Sequence, residues 1–279
     1  MPVRDGLGPA RLRLDGGSVV DEFTRRFGVA GAAKVLAGEV VDANGQAVDG
    51  SSVLAPGSVV FLYRDLPDEV EVPFDTPVIY RDDNIVVVDK PHFLSTMPRG
   101  RHVAQTVLVR MRRELDMPEL SPAHRLDRLT AGVLLLTTHR DVRGRYQTLF
   151  AAGLAAKTYL AKSSGVPNVV LPHIVSNRIV KRRGSLQAVV EPGEPNAETS
   201  IQEIGGGLYR LVPRTGRTHQ LRLHMASIGL PLDNDPLYPC VIPAGVEDFA
   251  VPLALLAQSL AFVDPISGER LRFESRREL

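Results

Sequence analysis

Apolar positions near the N-terminus are spaced as in two short helices followed by short strands. Residues 19–23 and 30–36 each place apolar side chains on one helical face. Asn44 and Gly45 then form a dipeptide typical of a hairpin turn, between short extended pieces. We therefore predict a small helical and hairpin module over residues 1–65.

The segment of residues 66–76 is acidic and bounded by prolines, as linkers often are, so we place a domain boundary there. Beyond it, apolar runs at residues 84–88 and 133–136 have the length and composition of buried strands. Apolar spacing over residues 103–115 fits a helix. Residues 77–279 are therefore predicted to form one larger domain of helices and strands.

The composition excludes several classes of protein. The chain has 279 residues, a formal net charge of +1 and a single cysteine, so neither an intrachain disulfide nor a thiolate metal cluster can form. No apolar run approaches the ~18 residues of a membrane span, and the N-terminus lacks the apolar core of a secretory signal. We expect a cytoplasmic protein that is not inserted in a membrane.

Charges of the two signs are segregated along the chain. Residues 64–89 hold eight acidic residues and two arginines, whereas residues 99–145 hold ten arginines and five acidic residues. Residues 206–224 hold four arginines and no acid. This segregation predicts a cationic face that meets phosphates. An arginine-rich composition alone is the alternative, since the chain has 28 arginines and 5 lysines.

One acidic residue occupies an unusual position in the stretch from His124 to Thr137. Asp127 lies between two arginines and shortly before the apolar run that follows Gly132, so it is expected in a turn leading into a buried strand. A carboxylate placed there is either half of a structural ion pair or a reactive group. The local sequence leaves both readings open.

A second informative stretch is P-R-T-G-R-T-H-Q-L-R-L-H at residues 213–224. A turn at Gly216 and helical spacing from Thr218 onward place His219 and Arg222 on one helix face. A metal site using His219 and His224 is disfavoured, because a spacing of five puts them on different faces and no third ligand is nearby.

Three motifs in this order resemble the RluA-type pseudouridine synthases: H-R-L-D-x-x-T-A-G at residues 124–132, K-T-Y at 157–159 and T-G-R-T-H-Q-L-R-L-H at 215–224. The resemblance covers roughly residues 78–273. It implies an α+β fold with a largely antiparallel mixed sheet flanked by helices. It also implies isomerisation of specific uridines to pseudouridine in structured RNA, ribosomal or transfer, and no cofactor, because this reaction redistributes bonds without redox change or group donation.

The resemblance also implies roles for individual residues. Asp127 matches the catalytic aspartate, which either attacks the ribose or assists departure of the base. Arg222 matches its basic partner, and Tyr159 matches the tyrosine that packs on the target base and is proposed to remove a proton. Arg125 matches the arginine that enters the space left when the uridine is swung out of the stack. The residues expected to line the site or meet phosphate are Lys90, Arg217, Thr218 and His219, although Arg217 and Thr218 could equally fix the turn.

Two departures from the family pattern are Ala131, where serine is usual, and Asn234, where glycine is usual in G-D-P-L-Y. The N-terminal module resembles a degenerate alpha-L RNA-binding motif that keeps only Lys34 of its basic residues, so it either contacts RNA or is a structural appendage. A non-catalytic RNA-binding or ribosome-assembly factor and a metal-dependent hydrolase are the alternative functions. A monomer is expected, because no long apolar surface helix is evident.

Overall fold

The computed structural model describes residues 2–279 except Arg64, Pro67, Arg101 and residues 244–247. Contacts group the chain into two compact units: residues 1–68 with 112–118, and residues 69–111 with 119–279. No helix in the described part of the chain is long and apolar enough to cross a membrane.

The acidic segment predicted as a linker differs from that expectation. Its residues from Glu69 onward belong to the second unit. The Glu69 carboxylate accepts the backbone N–H groups of residues 103, 104 and 105 at 2.7 to 3.0 Å. Three hydrogen bonds to one carboxylate fix this residue in the second unit. The predicted larger domain therefore begins about eight residues earlier than residue 77.

The first unit contains helical structure followed by short strands, as predicted, and it also has two strands before the helix that were not predicted. The two predicted helices form one helix that is interrupted at Gly28, where φ is +68°. A small antiparallel sheet packs with this helix, and its strands lie in the order β1 (Ala10–Arg13), β5 (Val59–Leu62) and β3 (Val40–Val41). Lys34 forms ion pairs with Glu39 and Asp65, each at 2.7 Å, so its charge is already neutralised within this unit. The elements are β1 (Ala10–Arg13), β2 (Gly17–Ser18), α1 (Val19–Leu36), β3 (Val40–Val41), β4 (Val53–Leu54) and β5 (Val59–Leu62).

The remaining elements follow in chain order. They are β6 (Val78–Arg81), β7 (Ile85–Lys90), α2 (Val107–Glu114), β8 (Ser121–Pro122), β9 (Ala131–Thr137), α3 (Arg140–Ala151), β10 (Ala156–Lys162), β11 (His173–Val180), β12 (Val189–Glu191), β13 (Ala197–Gly205), β14 (Leu208–Pro213), α4 (Gln220–Ser227), β15 (Leu255–Val263) and β16 (Arg270–Glu274).

One large sheet organises the second unit. Its strands follow the order β12-β11-β13-β14-β10-β15-β9-β7-β6, with β16 also paired to β15 and β8 to β9. Among the described residues, β9 beside β15 is the parallel pair, and the other pairs are antiparallel. Helix α3 packs on an apolar cluster with β7, β9 and β15, and α4 packs on another with β13 and β14. The predicted α+β fold with a largely antiparallel mixed sheet is confirmed.

The parallel contact between β9 and β15 requires a glycine. Gly132 pairs with Ala257 at a φ of +112°. A Cβ added to Gly132 would lie 2.2 Å from the Ala257 carbonyl oxygen, which is closer than any nonbonded contact allows. Ala257 pairs on its other side with Tyr159, which in turn pairs with Leu211. The paired residues therefore form one row that crosses the sheet, from Gly132 on β9 through Ala257 on β15 and Tyr159 on β10 to Leu211 on β14.

His224 holds α4 to the sheet. The side chain is fully buried, with Nδ1 2.9 Å from Thr199 Oγ1 and Nε2 3.1 Å from Asn177 Oδ1. Because burial disfavours the charged ring, the pKa of His224 is lowered to about 4. His224 is therefore a neutral, hydrogen-bonded core residue near neutral pH.

We expect Gly132→Ala to lower the free energy of unfolding by about 3 kcal/mol or more, through backbone strain and displacement of β15. Gly144→Ala is the matched control, because Gly144 lies on the exposed face of α3 with open space around it. Alanine there should change stability by less than about 1 kcal/mol, in the stabilising direction. Urea unfolding of both variants measures the difference, and equal stabilities would contradict the prediction.

Acid should destabilise the protein through His224. Between its unfolded pKa of 6.5 and its folded value of about 4, the unfolded chain binds a proton that the folded protein does not. The free energy of unfolding should therefore fall as the pH drops through this window, by up to about 1.4 kcal/mol per pH unit from this residue. His224→Gln should be less stable at neutral pH and show a shallower fall. Parallel curves for wild type and variant would show that His224 does not titrate in this way.

Candidate active site

The loop that carries Asp127 is held by the last residue of β7 and by the segment that follows that strand. The backbone carbonyls of residues 126, 128 and 129 contact the side chains of Thr96, Lys90 and His92, at 2.8, 3.1 and 2.7 Å. Within the loop, Thr130 N donates to the Asp127 carbonyl at 3.1 Å. Four consecutive carbonyls are thus satisfied, which fixes the backbone around Asp127.

The buried position of Lys90 differs from its predicted contact with RNA. Its side chain is 0% exposed, and Nζ donates to the carbonyls of Pro91, Leu94 and Arg128 at 2.7 to 3.1 Å. Burial lowers the pKa of Lys90 well below its usual range, while the nearby Asp127 charge opposes this shift. Lys90 therefore spans the loop and its supporting segment, and it cannot reach a phosphate in solvent.

The Asp127 carboxylate itself has no bonding partner among the described residues. The residue is half-buried, and no hydrogen bond or ion pair joins its side chain to another described residue. Its charge nevertheless acts on several neighbours: it favours the protonated forms of Tyr159, His219 and Arg222. Asp127 is therefore electrostatically coupled to these three residues, and their common role in catalysis stays a prediction.

Tyr159 lies on β10, in the row of paired positions that begins at Gly132. A register shift between Thr158 and Tyr159 marks a β-bulge, a feature that reorients the side chain that follows it. The ring packs against the apolar cluster under α4. Burial first, and the Asp127 charge second, raise the pKa of Tyr159 well above 10.0. Its hydroxyl is therefore a neutral phenol near pH 7.

Arg222 does not pair with Asp127 as predicted. Its guanidinium forms a bidentate ion pair with Asp235, from Nε to Oδ2 at 2.8 Å and from Nη2 to Oδ1 at 2.5 Å, with both side chains buried. Asp235 Oδ1 also accepts the backbone N–H groups of Leu237 and Tyr238. Burial opposes the charged form, but the bonds to Asp235 raise the pKa of Arg222, to which Asp127 contributes less. The sequence could not show this pairing because Asp235 lies in a separate loop.

Tyr238 is a site residue that sequence reasoning missed. Its ring lies 5.3 Å from the Arg222 guanidinium carbon and contacts the His219 ring edge to face. Its hydroxyl accepts the Ala188 N–H at 2.7 Å and lies 3.1 Å from His219 Nδ1. Burial raises the pKa of Tyr238 to about 12. The N-D-P-L-Y stretch was the available signal, but it did not reveal that this ring joins His219 to Arg222.

Asn234 preserves the backbone that the family glycine supplies. Its φ is +62°, in the left-handed region that asparagine tolerates better than most residues. Its side-chain amide donates to the Pro252 carbonyl at 2.9 Å. The departure from the family pattern therefore leaves the adjacent Asp235 able to pair with Arg222.

The turn before α4 differs in detail from the prediction. The helix begins at Gln220 and not at Thr218, and His219 precedes it with a φ of +59°. The side-chain oxygen of Gln220 accepts the Thr215 hydroxyl at 2.7 Å and the Arg217 N–H at 3.0 Å. His219 and Arg222 thus meet at Tyr238 rather than along one helix face. Burial lowers the pKa of His219, so its ring is neutral near pH 7.

The other predicted RNA-binding residues differ in their exposure. Arg125 is exposed, and its guanidinium makes no hydrogen bond or ion pair with the described residues. Arg217 is exposed and donates from Nε to the Asn196 carbonyl at 3.0 Å, which fixes the turn while leaving the rest of the guanidinium accessible. Thr218 is half-buried beside it. Contact of these three residues with RNA stays a prediction.

The two histidines of the rejected metal site have separate partners. His219 faces Tyr238, whereas both ring nitrogens of His224 are within hydrogen-bond distance of Thr199 and Asn177. His224 therefore offers no free nitrogen to a metal ion, and the described residues contain no cluster of three metal-ligating side chains.

Comparisons with known proteins agree with this geometry. A profile described as RNA pseudouridylate synthase matches residues 84–227. The Saccharomyces cerevisiae protein named tRNA pseudouridine(32) synthase, mitochondrial, is 30% identical over 208 residues, covering 71% of this chain and 44% of that protein. The Escherichia coli dual-specificity RNA pseudouridine synthase RluA is 31% identical over 209 residues, covering 71% of this chain and 91% of that protein.

Solved structures show the same relationship. Human RNA Pseudouridylate Synthase Domain Containing 4 is similar with a TM-score of 0.56 at 25% identity, covering 72% of this chain and 88% of that chain. The match to the yeast protein spans less than half of that protein's length. The profile nevertheless covers more than half of this chain and includes Asp127, Tyr159 and Arg222. The chain therefore belongs to the RNA pseudouridylate synthase family, and within it to the RluA type that its three motifs predict.

Proposed function

We propose that this chain isomerises specific uridines to pseudouridine in structured RNA, with Asp127 as the catalytic carboxylate. The observation that carries the proposal is the state of Asp127. Its backbone is fixed by four satisfied carbonyls, while its carboxylate is left without a partner among the described side chains. A rigid backbone with an uncommitted reactive group is what a nucleophile or charge-stabilising group requires.

The reaction defines what the site has to do. The bond between C1′ of the ribose and N1 of uracil breaks, the base turns, a bond forms between C1′ and C5, the C5 proton leaves and N1 takes up a proton. Positive charge develops at C1′ when the base departs. A carboxylate beside C1′ stabilises that charge directly or by forming a covalent bond. Asp127 is the described acidic residue whose charge reaches Tyr159, His219 and Arg222 together.

Arg222 acts mainly through its positive charge near Asp127 and not through a direct bond to it. Its bidentate bond to Asp235 satisfies its Nε and Nη2 groups, so it supplies a positive field near Asp127 without forming an ion pair with it. No salt bridge therefore has to break before the carboxylate meets the ribose.

Tyr159 acts as a neutral phenol. Burial and the Asp127 charge both oppose phenolate, so Tyr159 stacks on the base as a neutral phenol. Its hydroxyl takes up the C5 proton only by giving its own proton to an acceptor in the same step.

The substrate class is structured RNA of the ribosomal or transfer type. The similar yeast protein is named for a transfer RNA position, and the similar Escherichia coli protein is named for dual specificity. The exposed Arg125 lies two residues from Asp127 and supplies a planar cation for the stack from which the uridine is extruded. Pseudouridine mapping in a deletion strain would identify the modified positions.

We expect Asp127→Asn to reduce tritium release from C5-labelled uridine RNA by about 10³-fold or more, because the amide can neither attack C1′ nor stabilise its charge. RNA affinity should stay within about threefold of wild type, since the change is nearly isosteric. Filter binding supplies this second measurement. Full turnover by the variant would refute the catalytic role of Asp127, and tight RNA binding without turnover by wild type would favour a non-catalytic RNA-binding factor.

We expect Tyr159→Phe to lower the single-turnover rate by about 100-fold, because the ring still packs on the base but the hydroxyl is lost. The wild-type rate should be flat from about pH 7 to 9, because a phenol with a raised pKa does not ionise in that range. Quenched single-turnover assays across this range measure both effects. A wild-type rate that rises about tenfold per pH unit, and a variant that lacks the rise, would instead indicate catalysis by phenolate.

A further inference from the structure

A turn with three consecutive cations lies between β11 and β12. Its residues are Lys181, Arg182 and Arg183, followed by Gly184 at a φ of +83°. Arg182 and Arg183 are exposed. Arg182 is ion-paired with Glu191 on β12, and Lys181 Nζ donates to the Ser185 carbonyl. The turn therefore carries a net positive charge after its one ion pair is counted.

The strand that leaves this turn is fastened to the candidate active site. Ala188 N–H donates to the Tyr238 hydroxyl at 2.7 Å, and that hydroxyl lies 3.0 Å from the Ala188 carbonyl. The Gln187 side-chain amide donates to the Leu237 carbonyl. Because Tyr238 also contacts His219, only a few residues separate the cationic turn from the ring that joins His219 to Arg222.

Electrostatics supports the same placement. The positive charge of Lys181 contributes to the lowered pKa of His219, after burial and the effect of Arg222. A charge 38 positions away in sequence affects this ring because the hairpin folds back to the site. The turn is thus within electrostatic range of the reacting region.

We propose that the turn at residues 181–183 is a phosphate-binding surface for the RNA strand beside the target nucleotide. The proposal rests on the proposed function in that RNA is taken as the anion. Arginine suits this position because its guanidinium binds a phosphodiester through two parallel hydrogen bonds. Arg183, which has no ion pair among the described residues, is available at once, and Arg182 exchanges Glu191 for phosphate.

The test is a double variant with a matched control. Arg182→Gln with Arg183→Gln removes one arginine ion-paired to a glutamate and one exposed arginine. Arg270→Gln with Arg272→Gln does the same on β16, where Arg272 pairs with Glu274 and Arg270 is exposed. Lys181 is left intact because its hydrogen bond to Ser185 stabilises the turn. Circular dichroism and thermal unfolding check that both double variants fold.

Affinity for unmodified transfer RNA and ribosomal stem-loop transcripts is measured by filter binding over a range of salt concentrations. Loss of two phosphate contacts should weaken binding about tenfold and reduce the slope of log K against log[salt] by about 1.5. The control variant should match wild type in both quantities. Arg182→Lys with Arg183→Lys should restore most of the salt slope, because each lysine keeps a charge that meets phosphate.

Turnover separates this proposal from the proposed function. At saturating RNA, kcat of the glutamine variant should stay within about twofold of wild type, since phosphate contacts bind substrate and transition state alike. Affinity and salt slope equal to those of the control variant would overturn the phosphate surface, whatever the activity. Wild type that binds RNA with the predicted dependence on this turn, but releases no tritium, would support the surface and refute the isomerase.

Discussion

The close approach of β9 to β15 at Gly132 and Ala257 is the constraint on which the rest of the second unit depends. A side chain at Gly132 would collide with the Ala257 carbonyl at 2.2 Å, so this parallel contact forms only with glycine at that position. The same register continues through Ala257 to Tyr159 and then to Leu211. Asp127 lies in the loop that leads into β9, five residues before Gly132, and β14 ends two residues after Leu211, just before the turn to α4. One row of backbone hydrogen bonds therefore brings three distant motifs together.

Around that row, Lys90 and Arg222 already have hydrogen-bonding partners, whereas the Asp127 carboxylate has none among the described residues. Lys90 is held by three carbonyls and Arg222 by Asp235. Each bond fixes structure, and Arg222 keeps its positive charge because its pKa is raised, so the site retains a positive field without a direct partner for the Asp127 carboxylate. An arrangement set before substrate arrives avoids reorganisation during the reaction, which is the main advantage of a preorganised polar site.

The same hydrogen-bonded framework links the reacting region to the candidate RNA surface. Tyr238 contacts the His219 ring and the Arg222 guanidinium, and it holds the β11–β12 hairpin through Ala188. The hairpin that carries the cationic turn at residues 181–183 is thereby joined to His219 and Arg222 through one ring, in a chain whose net charge is only +1. In our proposal, phosphate contacts at this turn supply affinity and orientation without reading the base.

The sequence by itself determined the fold class and the family, because ordered motifs and apolar periodicity are local properties, and it predicts Asp127, Tyr159 and Arg222 as residues of one site. It misjudged Lys90 and the partner of Arg222, and it missed Asp235 and Tyr238. Those outcomes depend on which loops meet in space: Lys90 is buried by the loop of Asp127, and Asp235 reaches Arg222 across a turn that Asn234 shapes at a φ of +62°. Burial also decided that Tyr159 is a neutral phenol, since desolvation exists only after the chain has folded around the ring.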